Sequence, residues 1–243
     1  MAATGDSVTR AFNTGLLPFT DAPRNSWSTG SRTYVWSHYR RILAVNWRIF
    51  GHNYNDARSG AKMRDLAGQM ATVNSQHVDY VTVLMGANDA CASSEAAMTP
   101  VDDFRAQFRQ ALATVTAGSP NALVYVVSIP DVYRLWLILH DDPSARLAWR
   151  LTGFCKSMLA NPDSTAPADE ARRQRVRQRI VDYNEVLATV CADYVRCRFD
   201  GNAVFDYPFE PQDVSTRDYF HPSLEGQRDL AEVSWDAGPL AGL

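Results

Sequence analysis

The sequence predicts an α/β fold, a parallel sheet covered by helices on both faces, from the spacing of its apolar residues. Runs enriched in β-branched residues occur at 47–50, 78–85 and 122–129, each bounded by Gly, Asn, Asp or Pro, as buried strands are. Segments of helical period lie between them. Strand and helix in alternation build βαβ units, which cover both sheet faces and leave a ligand crevice at the carboxyl ends of the strands. The chain has 243 residues, 46% of them hydrophobic, enough for one domain over 1–243 with a sizeable core.

Taken in order, residues 1–7 read Met-Ala-Ala-Thr-Gly-Asp-Ser, a short apolar strand that runs into Gly5, Asp6 and Ser7. The runs at 47–50 and 78–85 supply the second and third strands. A helix follows through Phe104, Phe108, Leu112 and Val115, introduced by Pro100 and Asp102 and closed by Gly118. The fourth strand is 122–129. From about 131 to 170 the pattern loosens around Asp141, Asp142, Pro143, Pro162 and Pro167, which we read as an irregular insertion. Its apolar stretch, Tyr133 and 135–139 continuing through Leu147, Trp149, Leu151 and Phe154, either packs into the core or lines a groove at the strand-end edge. Residues 172–194 recover a helical stripe through Val176, Ile180, Tyr183, Leu187, Val190 and Tyr194. Ser223 caps a last helix over 224–233.

Several function classes are excluded. With 24 basic against 27 acidic residues, the net charge of -3 is too balanced to indicate a nucleic-acid partner. Apolar runs such as 135–139 fall far short of the roughly 18 residues that cross a bilayer. The sequence has no zinc-ligand spacing and no G-x-S-x-G, G-x-G-x-x-G or Walker pattern, so we expect no metal and no cofactor. The four cysteines have no C-x-x-C pair, and their even number predicts two disulfides. The six-residue separation favours Cys191–Cys197, which leaves Cys91–Cys155. Disulfides imply an oxidising compartment, hence a secreted protein whose signal peptide has been removed.

Four segments carry chemistry. Gly5-Asp6-Ser7 places a serine at a strand end, a candidate nucleophile, although a lone tripeptide also reads as a turn or helix cap. Asp218-Tyr219-Phe220-His221 supplies a histidine to take the serine proton and a carboxylate to fix the tautomer of that histidine. Acyl transfer also needs donors aimed at the developing oxyanion. The loop 53–61 offers the backbone N–H of Gly60, and 85–89 offers the side-chain amide of Asn88. Asp6 and Asp89 are expected to tie down their own loops. His38, His52, His77 and His140 lack such partners and are expected to be structural or solvated. The arginines at 172, 173, 175, 177 and 179 are expected to form a solvated helix end.

In order and spacing these segments resemble the SGNH, or GDSL, hydrolases over nearly the whole chain. The resemblance implies a flavodoxin-like three-layer α/β/α sandwich and ester-hydrolysing chemistry. It assigns the nucleophile to Ser7, the proton shuttle to His221, its orienting carboxylate to Asp218, and the oxyanion hole to Ser7, Gly60 and Asn88. Residues 5–12, 26–30 and 86–91 look like secreted actinobacterial and phospholipase-B-like members. Val8 replaces the leucine of the eponymous tetrapeptide, a conservative change. The expected protein is therefore a monomeric serine esterase, lipase or phospholipase, acting on an ester or lipid substrate, with contact to a lipid surface. An acyltransferase or carbohydrate deacetylase would use the same residues, and a lipid- or glycan-binding module would keep only the fold.

Overall fold

The computed structural model describes residues 1–243. Five strands, β1 (Ala2–Gly5), β2 (Tyr54–Asn55), β3 (Tyr80–Leu84), β4 (Leu123–Val126) and β5 (Cys197–Phe199), form one sheet in the order β2-β1-β3-β4-β5. Every pairing is parallel. The helices are α1 (His38–Val45), α2 (Met63–Gln76), α3 (Ala87–Ala90), α4 (Val101–Gly118), α5 (Val132–Leu139), α6 (Pro143–Thr152), α7 (Lys156–Leu159), α8 (Pro167–Ala192), α9 (Ala203–Asp206) and α10 (Leu224–Asp236).

The period of two along each strand divides the core into two clusters. Val81, Val83, Val124 and Val126 face α2, α4 and α8, among them Leu66, Met70, Phe104, Phe108, Val176 and Ile180. Tyr80, Leu84, Tyr125 and Val127 face the other way, onto Trp27, Tyr39, Leu230 and Trp235 of α1, α10 and their approaches. This is the expected three-layer sandwich. His38 is structural, as expected: its Nδ1 lies 3.0 Å from the Tyr80 hydroxyl and its Nε2 2.9 Å from Ser234 Oγ. Burial drives its pKa down to about 3, so a neutral ring joins α1, β3 and α10.

Three expectations about secondary structure are corrected. Residues 47–50 are not a strand: Asn46 caps a 3-10 turn over Trp47–Ile49, and Trp47 and Phe50 face solvent. The second strand is the two-residue edge at Tyr54–Asn55, too short and too polar to register as an apolar run. The stretch 131–170 is helical rather than irregular, because its breakers are caps. The Asp131 side chain accepts the Tyr133 N–H and that of Asp142 accepts the Ser144 N–H, while Pro143 and Pro167 occupy first turns.

The arginine cluster is not a solvated helix end. Arg173 is fully buried, with its guanidinium 3.8 Å from the Trp136 ring centroid; it donates to the Ser164 carbonyl at 2.6 Å and to Glu170 at 3.1 Å. Arg172 donates to the Ala160 carbonyl, Arg177 pairs with Asp131, Arg175 with Glu95, and Arg179 donates to the Thr99 carbonyl. The arginines thus fasten the 131–166 segment and the 95–99 turn onto α8. Both expected disulfides, Cys91–Cys155 and Cys191–Cys197, are present, and the second holds the three-residue β5 against the end of α8.

Replacing Arg173 by Ala should destabilise the fold by about 3 kcal/mol, since it empties a buried site and strands the groups that faced it. Lys should rescue poorly, having neither the planar stacking face nor the forked donors. Urea denaturation checks this, and a loss below about 1 kcal/mol would show that the guanidinium adds nothing to the net stability.

Candidate active site

Ser7 follows β1, which is flanked on both sides by strands. Gly5 ends that strand at φ +143°, where a Cβ would collide with the Leu84 carbonyl and the Thr9 hydroxyl, so only glycine lets the chain turn here. Two buried carboxamides hold the turn. The Gly5 N–H donates to Gln69 Oε1 at 2.8 Å, and Gln69 Nε2 donates back to the Gly5 carbonyl at 2.9 Å. Gln227 Nε2 donates to the Val8 carbonyl at 2.8 Å while its Oε1 accepts the Trp27 N–H. Asp6 Oδ1 accepts the Val8 N–H at 2.9 Å, the loop-tying role expected of it. The Ser7 N–H is left without any acceptor in the protein.

Against this turn stands the 218–221 loop. His221 Nε2 lies 2.9 Å from Ser7 Oγ, and His221 Nδ1 lies 2.7 Å from Asp218 Oδ2. Asp218 is fully buried and accepts four hydrogen bonds: from the His221 ring and Asn13 Nδ2 on Oδ2, and from the Phe220 and His221 N–H groups on Oδ1. Burial by itself would raise its pKa, but these donors outweigh it and hold the carboxyl below its ordinary value. The ionised carboxylate only accepts, so Nδ1 carries a proton toward it and Nε2 faces the Ser7 hydroxyl. Tyr219 takes up the sharp turn between the two at φ +55°, an unusual conformation for an aromatic residue. The Trp149 indole N–H donates to its carbonyl at 2.7 Å. Phe12, Phe154 and Phe220 stand around the imidazole at ring centroid distances of 4.7, 5.7 and 5.0 Å.

Ser7, Asn88 and His221 share the wall of one cavity of about 100 Å³. Asn88 spends one Nδ2 hydrogen on the Ala61 carbonyl at 3.0 Å and has the other free. Gly60 is not part of that wall; it sits in the adjoining turn, tied to the cavity through Ala61, and its N–H has no protein acceptor. Asp89 fixes the Asn88 turn by accepting the Met63 N–H and the Thr99 hydroxyl. The two alternatives for the apolar insertion both hold, on different faces of it. Trp136, Leu139 and Trp149 are core, Leu135 and Ile138 line the cavity, and Leu147 and Leu151 face solvent.

A family model of the GDSL-like lipase/acylhydrolase family matches residues 3–228. The chain belongs to that family. No curated protein sequence matches it significantly. Among solved structures, an α/β hydrolase enzyme, LAE5, from the metagenome of Lake Arreo, Spain, superposes with a TM-score of 0.58 at 15% identity, covering 100% of this chain and 95% of that one. An extracellular lipase from Streptomyces rimosus gives 0.53 at 19% identity, and phospholipase A1 from Streptomyces albidoflavus NA297 gives 0.52 at 18%, each covering 98% of both chains. At such identities these likenesses establish the fold alone.

In this GDSL hydrolase the sequence motifs located the Ser, His, Asp and Asn that the fold brings together, but not their supports. Gln69 and Gln227 did leave a signal: Gln69 is a lone polar residue beside Leu66 and Met70 on an apolar helix face, and Gln227 shares its face with Leu230, Ala231 and one other polar residue, Ser234. Asn13, 205 residues from Asp218, left none.

Asp6 Oδ2 is buried without a partner, and burial, partly offset by the Val8 N–H and the nearby His221, pushes this carboxyl from 3.8 to about 6. The folded protein therefore holds an extra proton between those values, and stability falls as pH rises through that window. Asn in place of Asp6 keeps the Oδ1 acceptor and removes the charge. Its stability relative to the parent should improve by about 2–3 kcal/mol between about pH 4 and pH 8 in urea titrations. A pH-independent difference would contradict a costly ionisation at this site.

Proposed function

We propose that the protein is a secreted serine carboxylic-ester hydrolase that uses Ser7, His221 and Asp218 as its catalytic triad. The observation that supports this most is the continuous hydrogen-bonded line from Ser7 Oγ through His221 to a buried, ionised Asp218, opening on a cavity with unspent donors. Ser7 Oγ attacks the ester carbonyl while Nε2 takes its proton, and Asp218 stabilises the imidazolium. The Ser7 N–H, the free Asn88 amide hydrogen and the Gly60 N–H receive the oxyanion. Collapse expels the alcohol with the proton from Nε2. Water, deprotonated by the same nitrogen, then releases the acid and restores Ser7.

A fluorophosphonate probe should label Ser7, and Ser7→Ala should abolish labelling. Ser7→Ala and His221→Ala should each lower kcat by at least about 10³-fold with folding intact, and Asn88→Ala by roughly 10²- to 10³-fold with KM little changed. A folded, inert protein would instead favour a binding module. Most activity surviving in either folded triad variant would refute the mechanism.

The acyl group is assigned to the apolar side of the cavity. Each buried methylene contributes about 0.8 kcal/mol there, so an acyl chain should bind better than acetate. Ile138 lies on the cavity wall, whereas its neighbour Trp136 is core. Across p-nitrophenyl esters from acetyl to palmitoyl, Ile138→Ala should shift the optimum of kcat/KM toward longer chains. A preference for acetyl esters indifferent to Ile138→Ala would favour a small-acyl esterase or deacetylase. Secretion is proposed from the two disulfides; the S. rimosus lipase is itself described as extracellular.

A further inference from the structure

The loop 14–20 presents Leu16, Leu17 and Phe19 to solvent at 98%, 68% and 56% exposure. So dense an apolar surface at a loop tip is a contact waiting for a partner. Part of the polar backbone of the tip is satisfied from within. The Arg217 guanidinium donates to the Leu17 carbonyl at 3.1 Å and to the Leu16 carbonyl at 3.4 Å, and the Thr20 hydroxyl donates to the Leu17 carbonyl at 2.9 Å. The Phe19 N–H donates to Asn13 Oδ1, and Pro18 has no N–H. These groups can leave water without being stranded, which a merely slack loop does not provide.

Charge and position narrow the partner. Asp21, next to the loop, is taken up by Arg10 and the Ser59 hydroxyl, whereas Arg24 and Arg217 are exposed and their charge meets no carboxylate, Arg217 donating only to the Leu16 and Leu17 carbonyls. Arg24 lies at the loop base, since its neighbour Asn25 donates to the Thr14 carbonyl. Asn13, which holds Phe19, also donates to Asp218, so the apolar tip is one side chain away from the triad. Phe154, whose ring stands 5.7 Å from that of His221, follows α6, which exposes Leu147 and Leu151.

We propose that loop 14–20 is a docking element that inserts Leu16, Leu17 and Phe19 into the surface of an anionic lipid aggregate, with Arg24 and Arg217 at the headgroups. Docking brings the Ser7 cavity to esters at that surface. The proposal rests on the ester-hydrolase reading and adds the physical state of the substrate to it.

Co-sedimentation with phosphatidylcholine–phosphatidylglycerol vesicles tests it, in a Ser7→Ala background so that the lipid stays intact. Leu16→Ser with Leu17→Ser should weaken partitioning at least about tenfold, each leucine losing most of its transfer free energy. Trp47→Ser with Phe50→Ser, which removes comparable exposed apolar area near the opposite strand ends, should change it less than about twofold. Vesicles of phosphatidylcholine alone should bind the parent more weakly. With Ser7 intact, the leucine double variant should still hydrolyse monomeric p-nitrophenyl butyrate at the parent rate, which shows that the site is folded. Equal partitioning of parent and leucine variant would overturn the proposal, as would a parent that ignores anionic vesicles, a result that would leave a protein partner for the loop. A parent that binds vesicles through these leucines yet hydrolyses no monomeric ester would support docking and reject the hydrolase reading instead.

Discussion

A carboxylate with no solvent exposure is the constraint around which this site is built. Burying the charge of Asp218 without partners would cost several kcal/mol, so it must be surrounded by donors, and the four it has come from two distant parts of the chain. Two are the backbone amides of its own loop, available only because Tyr219 accepts a positive φ. One is the imidazole, and the last is Asn13, six residues after Ser7. The charge thereby fixes the distance between the Ser7 turn and the His221 loop, and with it the 2.9 Å contact of Nε2 with Ser7 Oγ.

Other parts of the fold serve the same alignment. Gln69 and Gln227 brace the Ser7 turn from opposite layers of the sandwich, so the serine is positioned by both halves of the core rather than by a flexible loop. The helical insertion braces the other side. Trp149 is buried among core residues yet reaches the Tyr219 carbonyl with its indole N–H, and Cys155 joins the insertion to Cys91, just past the Asn88 turn. Ser157 adds to that link by donating to the Ala90 carbonyl and accepting the Ala92 N–H. The arginines of α8 explain how so apolar an insertion keeps one arrangement: Arg173 stacks on Trp136 and ties Ser164, and Arg177 holds the Asp131 cap at the start of α5. Leu135 and Ile138 can then face the cavity as a fixed wall.

Asp6 shows a cost of the same design. The Asx-type bond from the Val8 N–H requires an oxygen acceptor beside the nucleophile, and the second carboxyl oxygen is left buried and unpartnered. Its raised pKa is the measure of that conflict.

The sequence by itself determined the alternation of strand and helix, the third and fourth strands, and the Ser7, Asn88, Asp218 and His221 blocks, and it favoured the local Cys191–Cys197 bridge without determining the cysteine pairing. All of these are written in local spacing: a period of two or 3.6, a strand-end Gly-Asp-Ser, a carboxylate three residues before a histidine. The second strand escaped because an edge strand of two half-buried residues needs no apolar run, and the run at 47–50 misled because its aromatic residues, Trp47 and Phe50, face solvent and only Ile49 packs on the core. Asp142-Pro143 read as a break because a capping residue and a breaker are the same residue types; only the helix that follows distinguishes them. Tertiary structure alone decided that Arg173 is buried, that Trp136 is core while Ile138 meets the cavity, that Gly60 lies just outside the cavity wall, and that Asn13 completes Asp218. Each depends on which surfaces meet between distant parts of the chain, 205 residues apart for Asn13 and Asp218, and a buried polar group is settled by the donors that folding brings to it, not by its neighbours in sequence.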